Sequence, residues 1–197
     1  MSAYPPLLFL RKFLREGTRV ASVAPSSRSL GRAMSSQIDP HRPQTIVELG
    51  AGSGAVTRIA AARMHPQSRL IAVEVDPEFH RVLAADVPAA EAVLADVREL
   101  PAQLAARGVQ QVDLVLDCLP TPSLPRAINA AVFDWLASLA PTPAFSQMTV
   151  MPWVYRPLYR RLFRRVEFEL VLANMPPGGA YHCTGLQPDW QRHLPGR

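Results

Sequence analysis

"VELGAGSGAVTRIAA", residues Val47 to Ala61, decides how the rest of this chain is read. An apolar run ends at Gly50, glycines recur at positions 50, 52 and 54, and a stretch of helical composition follows. Between a strand and a helix, the first glycine permits a tight turn and the second lets backbone approach a ligand closely. The spacing fits both GxGxG and, with Ala55 in the last place, the GxGxxA form of a nucleotide-binding loop. Alone it is also compatible with a plain strand-to-helix turn. The next strand adds a partner: "LIAVEVD" puts Glu74 20 positions after Gly54, at a strand end where a carboxylate can accept from both ribose hydroxyls. Asp76 competes for that role, but its place before "PEFHRVLAAD" suits a helix cap. Asp96, closing "AEAVLAD", can accept from an adenine amino group. A dinucleotide would set its pyrophosphate at the helix N-terminus. Glu48 brings negative charge there, which suits a cationic or zwitterionic ligand better.

Outward from this stretch, strands and helices alternate. "RPQTIVELG", "SRLIAVEVD", "AEAVLAD" and "VDLVLDCLP" read as buried strands, each followed by a helical segment. Pro77 suits a first helical turn, and Gly108 suits a helix end. "LPRAINAAVFDWLASL" is amphipathic with helical period. The pattern predicts parallel βαβ units in a doubly wound sheet. After a fifth strand in "AFSQMTVM" the rhythm breaks. The aromatic-basic run "PWVYRPLYRRLFRR" leads into "VEFELVLANM", a turn at "PPGG" and "AYHCTGL", a strand pair with no helix between.

With 197 residues, 48% of them hydrophobic and 19% charged, the chain suits one medium α/β domain rather than a disordered segment. Cys118 and Cys183 make neither a disulfide framework nor a CxxC metal pattern, which suits a reducing cytosol. His41, His65, His80, His182 and His193 are scattered, so no metal site is expected. The net charge of +5 is carried almost wholly by arginine, Lys12 being the only lysine. Arginine favours phosphate and anionic surfaces through its planar fork. No run reaches membrane-spanning length, and the N-terminus makes a poor secretory signal because its charges follow the apolar block.

Two segments bear on partners. In "LLFLRKFLREG", Leu7, Phe9, Leu10, Phe13 and Leu14 share one helical arc, while Arg11, Lys12, Arg15 and Glu16 fall on the other. An interfacial helix on anionic lipid has this pattern, and so does an ordinary helix packed on a domain. The run "YRPLYRRLFRR" interleaves Arg156, Arg160, Arg161, Arg164 and Arg165 with Tyr155, Tyr159 and Phe163. It fits lipid phosphate, RNA with bases stacked on the aromatics, or a solvated helix whose rings turn inward. The economical organisation is an N-terminal membrane-binding or lid extension over residues 1–36 and one domain over residues 37–197.

"VELGAGSG", "AVEVD", "LAD" and the terminal strand pair together resemble the class I S-adenosylmethionine-dependent methyltransferases, from about Thr45 to Leu186. The resemblance implies an α/β Rossmann-like sheet ending in an antiparallel pair, with S-adenosylmethionine as cofactor. It implies that Gly50, Gly52 and Gly54 pass around the methionine end, that Glu74 holds the ribose, and that Asp96 lies on the adenine side. Glu48 then organises the cofactor's ammonium end.

The segment "REGTRVASVAPSSRSLGRAM", with "NMPPGGAYH" far downstream, is similar to the bacterial phospholipid N-methyltransferase family. Arg19, Ala21, Val23, Pro25, Ser26 and Ser27 match the family's first motif, with Ser22 where glycine is usual. Asn174, Pro176 and Pro177 match its closing motif. The resemblance implies stepwise methylation of phosphatidylethanolamine to phosphatidylcholine by a peripheral enzyme on the inner face of the cell membrane. Lipid contacts are then expected at Arg11, Lys12, Phe13, Arg15, Arg19, Ser26 and Ser27. Departures at Asp117-Cys118-Leu119-Pro120, "APTPAFS" and "QMTVMP" leave room for another acceptor, such as an ornithine lipid. RNA and protein remain alternative acceptors, although "DCLP" departs from the (Asn/Asp/Ser)-Pro-Pro-(Tyr/Phe) motif of base-directed enzymes, and nucleic acid is disfavoured. Asp117, at the carboxyl end of the fourth strand, is the candidate proton acceptor, with helix capping the competing role. Tyr181 is the candidate ring for the methylammonium group, with core packing competing.

Overall fold

The computed structural model describes residues 27–174 and 176–194. The chain runs α1 (Arg28–Met34), β1 (Thr45–Leu49), α2 (Ala55–Arg63), β2 (Arg69–Glu74), α3 (Pro77–Asp86) and β3 (Glu91–Leu94). A single 3₁₀ turn (Val97–Glu99) leads into α4 (Leu100–Ala106), then β4 (Leu114–Asp117), α5 (Arg126–Ser138), β5 (Ala144–Thr149) and α6 (Pro152–Leu162). The chain closes with β6 (Phe163–Val171) and β7 (Gly178–Leu186).

The seven strands form one sheet in the order β3-β2-β1-β4-β5-β7-β6. The first five are parallel and β7 runs antiparallel to both neighbours. Residues facing either side of the central strands are buried, which is why their sequences are continuous apolar runs rather than alternations. On one face α1 and α2 close over Ile46, Leu70, Leu114 and Leu116, while α3 closes over Ala72. On the other, α4, α5 and α6 bury Val47, Leu49, Val115 and Phe145. Local signals agree with this frame. Asp76 caps α3 by accepting from the Glu78 and Phe79 amides, with Pro77 in the first turn.

Three segments differ from their sequence readings. The aromatic-basic run is not one element: α6 ends at Leu162, and Phe163, Arg164 and Arg165 already belong to β6. Phe163 packs its ring 5.3 Å from Phe145 and 6.1 Å from Phe133, and that aromatic anchor starts the strand early. Gly178 and Gly179 lie in β7 rather than in a turn, because a Cβ at Gly179 would run into the Glu169 carbonyl oxygen of β6. Asp96 lies beyond β3, which ends at Leu94, and caps the 3₁₀ turn instead.

Ser27 to Ser36, read as part of an N-terminal extension, pack on the domain. Leu30, Ala33 and Met34 are fully buried in the same cluster as Ile46, Leu70 and Ala180. Arg11, Lys12, Phe13, Arg15, Arg19 and Ser26 lie outside the described residues.

Candidate active site

Strand order reverses at β1 and β4, where βαβ connections leave in opposite directions and open a crevice at the carboxyl ends. A cleft open to solvent lies there. Gly50, Gly52, Glu74, Phe79, Asp96 and Val97 line one part, and Cys118, Leu119 and Pro120 another. The loop after β1 is shaped by positive φ at Gly50 (71°), Gly52 (56°) and Gly54 (83°). Side chains are strained in that region. A Cβ on Gly50 would lie 2.7 Å from the Leu119 side chain, whereas one on Gly52 would meet no protein atom within 4 Å. Gly52 therefore presents bare backbone to the cleft.

Glu74 binds both sides of the cleft's first wall. One carboxylate oxygen accepts from the Gly52 amide at 2.7 Å, and the other from Val75 and Asp76 at 2.9 and 2.8 Å. The residue expected to hold a ribose thus also ties the glycine loop to the end of β2. Asp96 reaches the cleft, but Arg98 claims its carboxylate through 2.8 Å contacts to both oxygens. Bonding by Arg98 holds the Asp96 carboxyl below its ordinary range. Glu48 is fully buried beneath the loop. One oxygen is 3.8 Å from the Cys118 sulfur, and the other has no hydrogen-bond partner among the described residues. Burial pushes its pKa up to about 7, against the opposing effects of Thr57 and Cys118, with the Glu74 charge adding a smaller push upward. A buried, under-satisfied carboxylate beneath bare backbone, with an acid at the next strand end, fits a cationic nucleoside such as S-adenosylmethionine.

The two residues expected to act on the methyl acceptor are placed differently. Asp117 is at the end of β4 but fully buried. Its oxygens accept from the Leu119 amide at 3.0 Å and the Thr121 hydroxyl at 2.7 Å. It caps the turn that forms the cleft wall and does not line the cleft. Burial pushes its pKa up to about 7 despite bonding by Thr121 and Leu119. Tyr181 is in the core rather than on a polar rim. Its ring lies 4.8 Å from Tyr159 and 4.9 Å from Phe168, and burial pushes its pKa up to about 12. The reason is register: Asp117, Gln147, Tyr181 and Phe168 form one row across β4, β5, β7 and β6, and α6 covers that row with Tyr159.

Gln147 of this row opens the departing stretch "QMTVMP" but is not among the sequence-predicted site residues. Its amide donates to the carbonyls of Asp117 at 3.2 Å, Leu119 at 2.9 Å and Met148 at 3.1 Å. Asp117 and Gln147 thus hold the 117–121 turn from its two sides. Phe79, Leu124 and Ile128, also on the cleft, read in the sequence only as parts of helical segments, and Val97 belongs to no segment read there.

On the opposite face of the sheet, His182 fills a structural position. Its ring nitrogens lie 2.9 Å from the Ser146 hydroxyl and 3.2 Å from that of Ser36, with Glu169 at 3.5 Å. Ser27 caps α1 by accepting from Leu30, and its own amide donates to the Asn174 side chain at 3.0 Å. The two motifs that carried the lipid-enzyme resemblance therefore touch, 147 residues apart in sequence. Their contact fixes where the chain enters α1, at the β6–β7 connection beside the end of β5.

The two carboxylates raised by burial set a pH dependence. Each folded pKa, about 7, is above its ordinary value, so the stability each contributes is fully present below that value and is lost as pH rises through about 7. Denaturant midpoints are expected to fall between about pH 4 and about pH 7, and Asp117→Asn should flatten this fall. Fluorescence-monitored unfolding across that range checks it; an unchanged slope in the variant would remove Asp117 as a source.

The sheet order, glycine loop and acid pair define a class I S-adenosylmethionine-dependent methyltransferase. No protein-family model matches the chain. Among curated proteins, the ornithine lipid N-methyltransferase of Singulisphaera acidiphila is 43% identical over 184 residues, spanning 91% of this chain and 96% of that protein. At this identity and coverage the chain belongs to the same methyltransferase family as that protein. Solved structures agree on the fold at low identity. The Bacillus cereus O-methyltransferase, in complex with S-adenosylhomocysteine, matches with a TM-score of 0.61 at 12% identity, covering 90% of each chain. TomG from Streptomyces achromogenes, in complex with S-adenosylmethionine, also gives 0.61, at 17% identity over 93% of this chain and 91% of its own.

Proposed function

We propose that this protein transfers methyl groups from S-adenosylmethionine to the headgroup amine of a membrane amino-lipid, with an ornithine lipid as the foremost acceptor. The near full-length similarity to an ornithine lipid N-methyltransferase carries this reading. It reverses the order expected from motifs alone, in which phosphatidylethanolamine came first. The departures at "DCLP" and "QMTVMP" fit the change, because Asp117 and Gln147 are the residues that hold the wall of the cleft.

When bound, the cofactor supplies an electrophilic methyl group on a sulfonium. The amine nitrogen forms the new N–C bond as the S–C bond breaks, and a proton must leave the nitrogen. A primary ammonium with a pKa of about 10.4 is almost fully protonated at neutral pH. Beyond β4 the cleft offers Cys118, Leu119 and Pro120, with burial pushing the Cys118 thiol well up and so keeping it neutral. Desolvation beside these side chains disfavours an ammonium. The 117–121 turn therefore acts by excluding water from the entering amine, and the proton leaves to solvent at the mouth. Among the described residues no helix is long and apolar enough to cross a membrane. In this proposal the N-terminal segment, with Arg11, Lys12, Phe13 and Arg15, attaches the enzyme to the anionic inner face of the cell membrane.

Expression in a bacterium that makes ornithine lipid and phosphatidylethanolamine, but methylates neither, tests the assignment. Mass spectrometry of the lipid extract should show ornithine lipid heavier by one or more methyl groups. Unmodified lipids alongside soluble, cofactor-binding protein would overturn it.

A further inference from the structure

Among the described residues, most of the exposed large apolar side chains gather on one rim. Val150 and Met151 follow β5, Trp153 and Val154 open α6, and Leu170 and Leu172 lie at the end of β6. Leu170 pairs with Gly179, which pairs with Thr149 at the end of β5, so these side chains share the carboxyl edge of the sheet. The cleft opens on this same edge, because β5 runs parallel to β4 with Asp117 opposite Gln147. Trp153 is 74% exposed and Leu172 73%. Farther along α6, Arg156, Arg160 and Arg161 stand on the solvent side, without a salt bridge to any carboxylate among the described residues.

We propose that this rim is a second bilayer-docking surface, separate from the N-terminal segment, with Trp153 and its apolar neighbours entering the interface and the α6 arginines holding anionic headgroups. It rests on the amino-lipid reading of the cleft and states how the lipid's headgroup is brought to its mouth. An apolar tip with arginines set back from it suits an interface where apolar groups sit among acyl chains and guanidinium groups reach phosphate. Charge selects a bilayer over a second copy of the chain, since a two-fold contact would set this arginine stripe against itself. Burial selects it over RNA. Tyr159 and Phe163, two of the three rings interleaved with the arginines, are buried and cannot stack on bases.

The test uses the chain's own fluorescence. Of its three tryptophans, Trp135 and Trp190 are 4% and 3% exposed in the core, so bilayer contact is read by Trp153. The full-length protein is mixed with phosphatidylglycerol–phosphatidylethanolamine vesicles whose acyl chains are brominated near the headgroup. Emission should be quenched in the wild type and unquenched in Trp153→Phe, although that variant still floats with the vesicles. Arg156→Glu with Arg160→Glu should move release from vesicles to lower salt. Wild-type protein that floats without quenching docks by another face, and the proposal fails. Burial of Trp153 in a dimer without vesicles, or loss of vesicle binding to competing RNA, would overturn it equally. Failure of the function reading is distinguishable. Methyl transfer to amino-lipid in detergent micelles should persist in Trp153→Glu, whereas its absence from the wild type would defeat the lipid-enzyme reading and leave the quenching result standing.

Discussion

Gly52→Val and Glu74→Ala are each expected to weaken S-adenosylmethionine binding by about 10-fold to more than 100-fold. A residue other than glycine at the φ of Gly52, 56°, costs roughly 1–2 kcal/mol in backbone strain. The valine would then fill the open space into which a Cβ at this position projects. For Glu74 the loss is of charge-assisted bonds to the Gly52, Val75 and Asp76 amides, at about 1.5–3 kcal/mol for each such bond. Both the expected ribose partner and the shape of the glycine loop go with it. Calorimetric titration of folded variants checks this, and wild-type affinity in both would put the cofactor elsewhere.

The second large effect separates positioning from proton transfer at Asp117. Asp117→Ala leaves the Leu119 amide and the Thr121 hydroxyl without their buried acceptor, at about 1–3 kcal/mol for each unsatisfied group. Turnover on lipid should fall about 10- to 100-fold as the 117–121 turn loses its shape. Asp117→Asn keeps one acceptor for Leu119, and its amide can donate to the Thr121 oxygen in place of the bond it received. That variant should stay within about threefold of wild type, with an unchanged pH–rate profile. An asparagine variant as damaged as the alanine one, and rescued by alkali, would return Asp117 to the role of proton acceptor.

Much of the frame was legible because its signals are local. The glycine spacing at 50, 52 and 54, the carboxylate at Glu74 and the helix start at Asp76-Pro77 each depend on a few consecutive residues, and all take the expected backbone places. The N-terminal and "NMPP" motifs could be matched separately, but the Ser27–Asn174 bond joining them spans the fold. Tyr181 and Asp117 could not be placed from spacing. Whether a residue at a strand end faces the cleft or the core depends on register with β5 and β7 and on which helix covers the row, and Tyr159 on α6 seals this one. Gln147 was hidden for the same reason: its bonds to the Asp117 and Leu119 carbonyls are to a neighbouring strand's turn. The basic run divided because Phe163 is held by Phe133 and Phe145, partners 30 and 18 residues away.

The central claim, methyl transfer to an amino-lipid, is tested most directly with purified protein, methyl-labelled S-adenosylmethionine and vesicles containing equal ornithine lipid and phosphatidylethanolamine. The label should appear in the lipid phase on ornithine lipid first, at the headgroup amine, and should disappear with Glu74→Ala. Label that enters added RNA or protein while both lipids stay unlabelled would contradict the account.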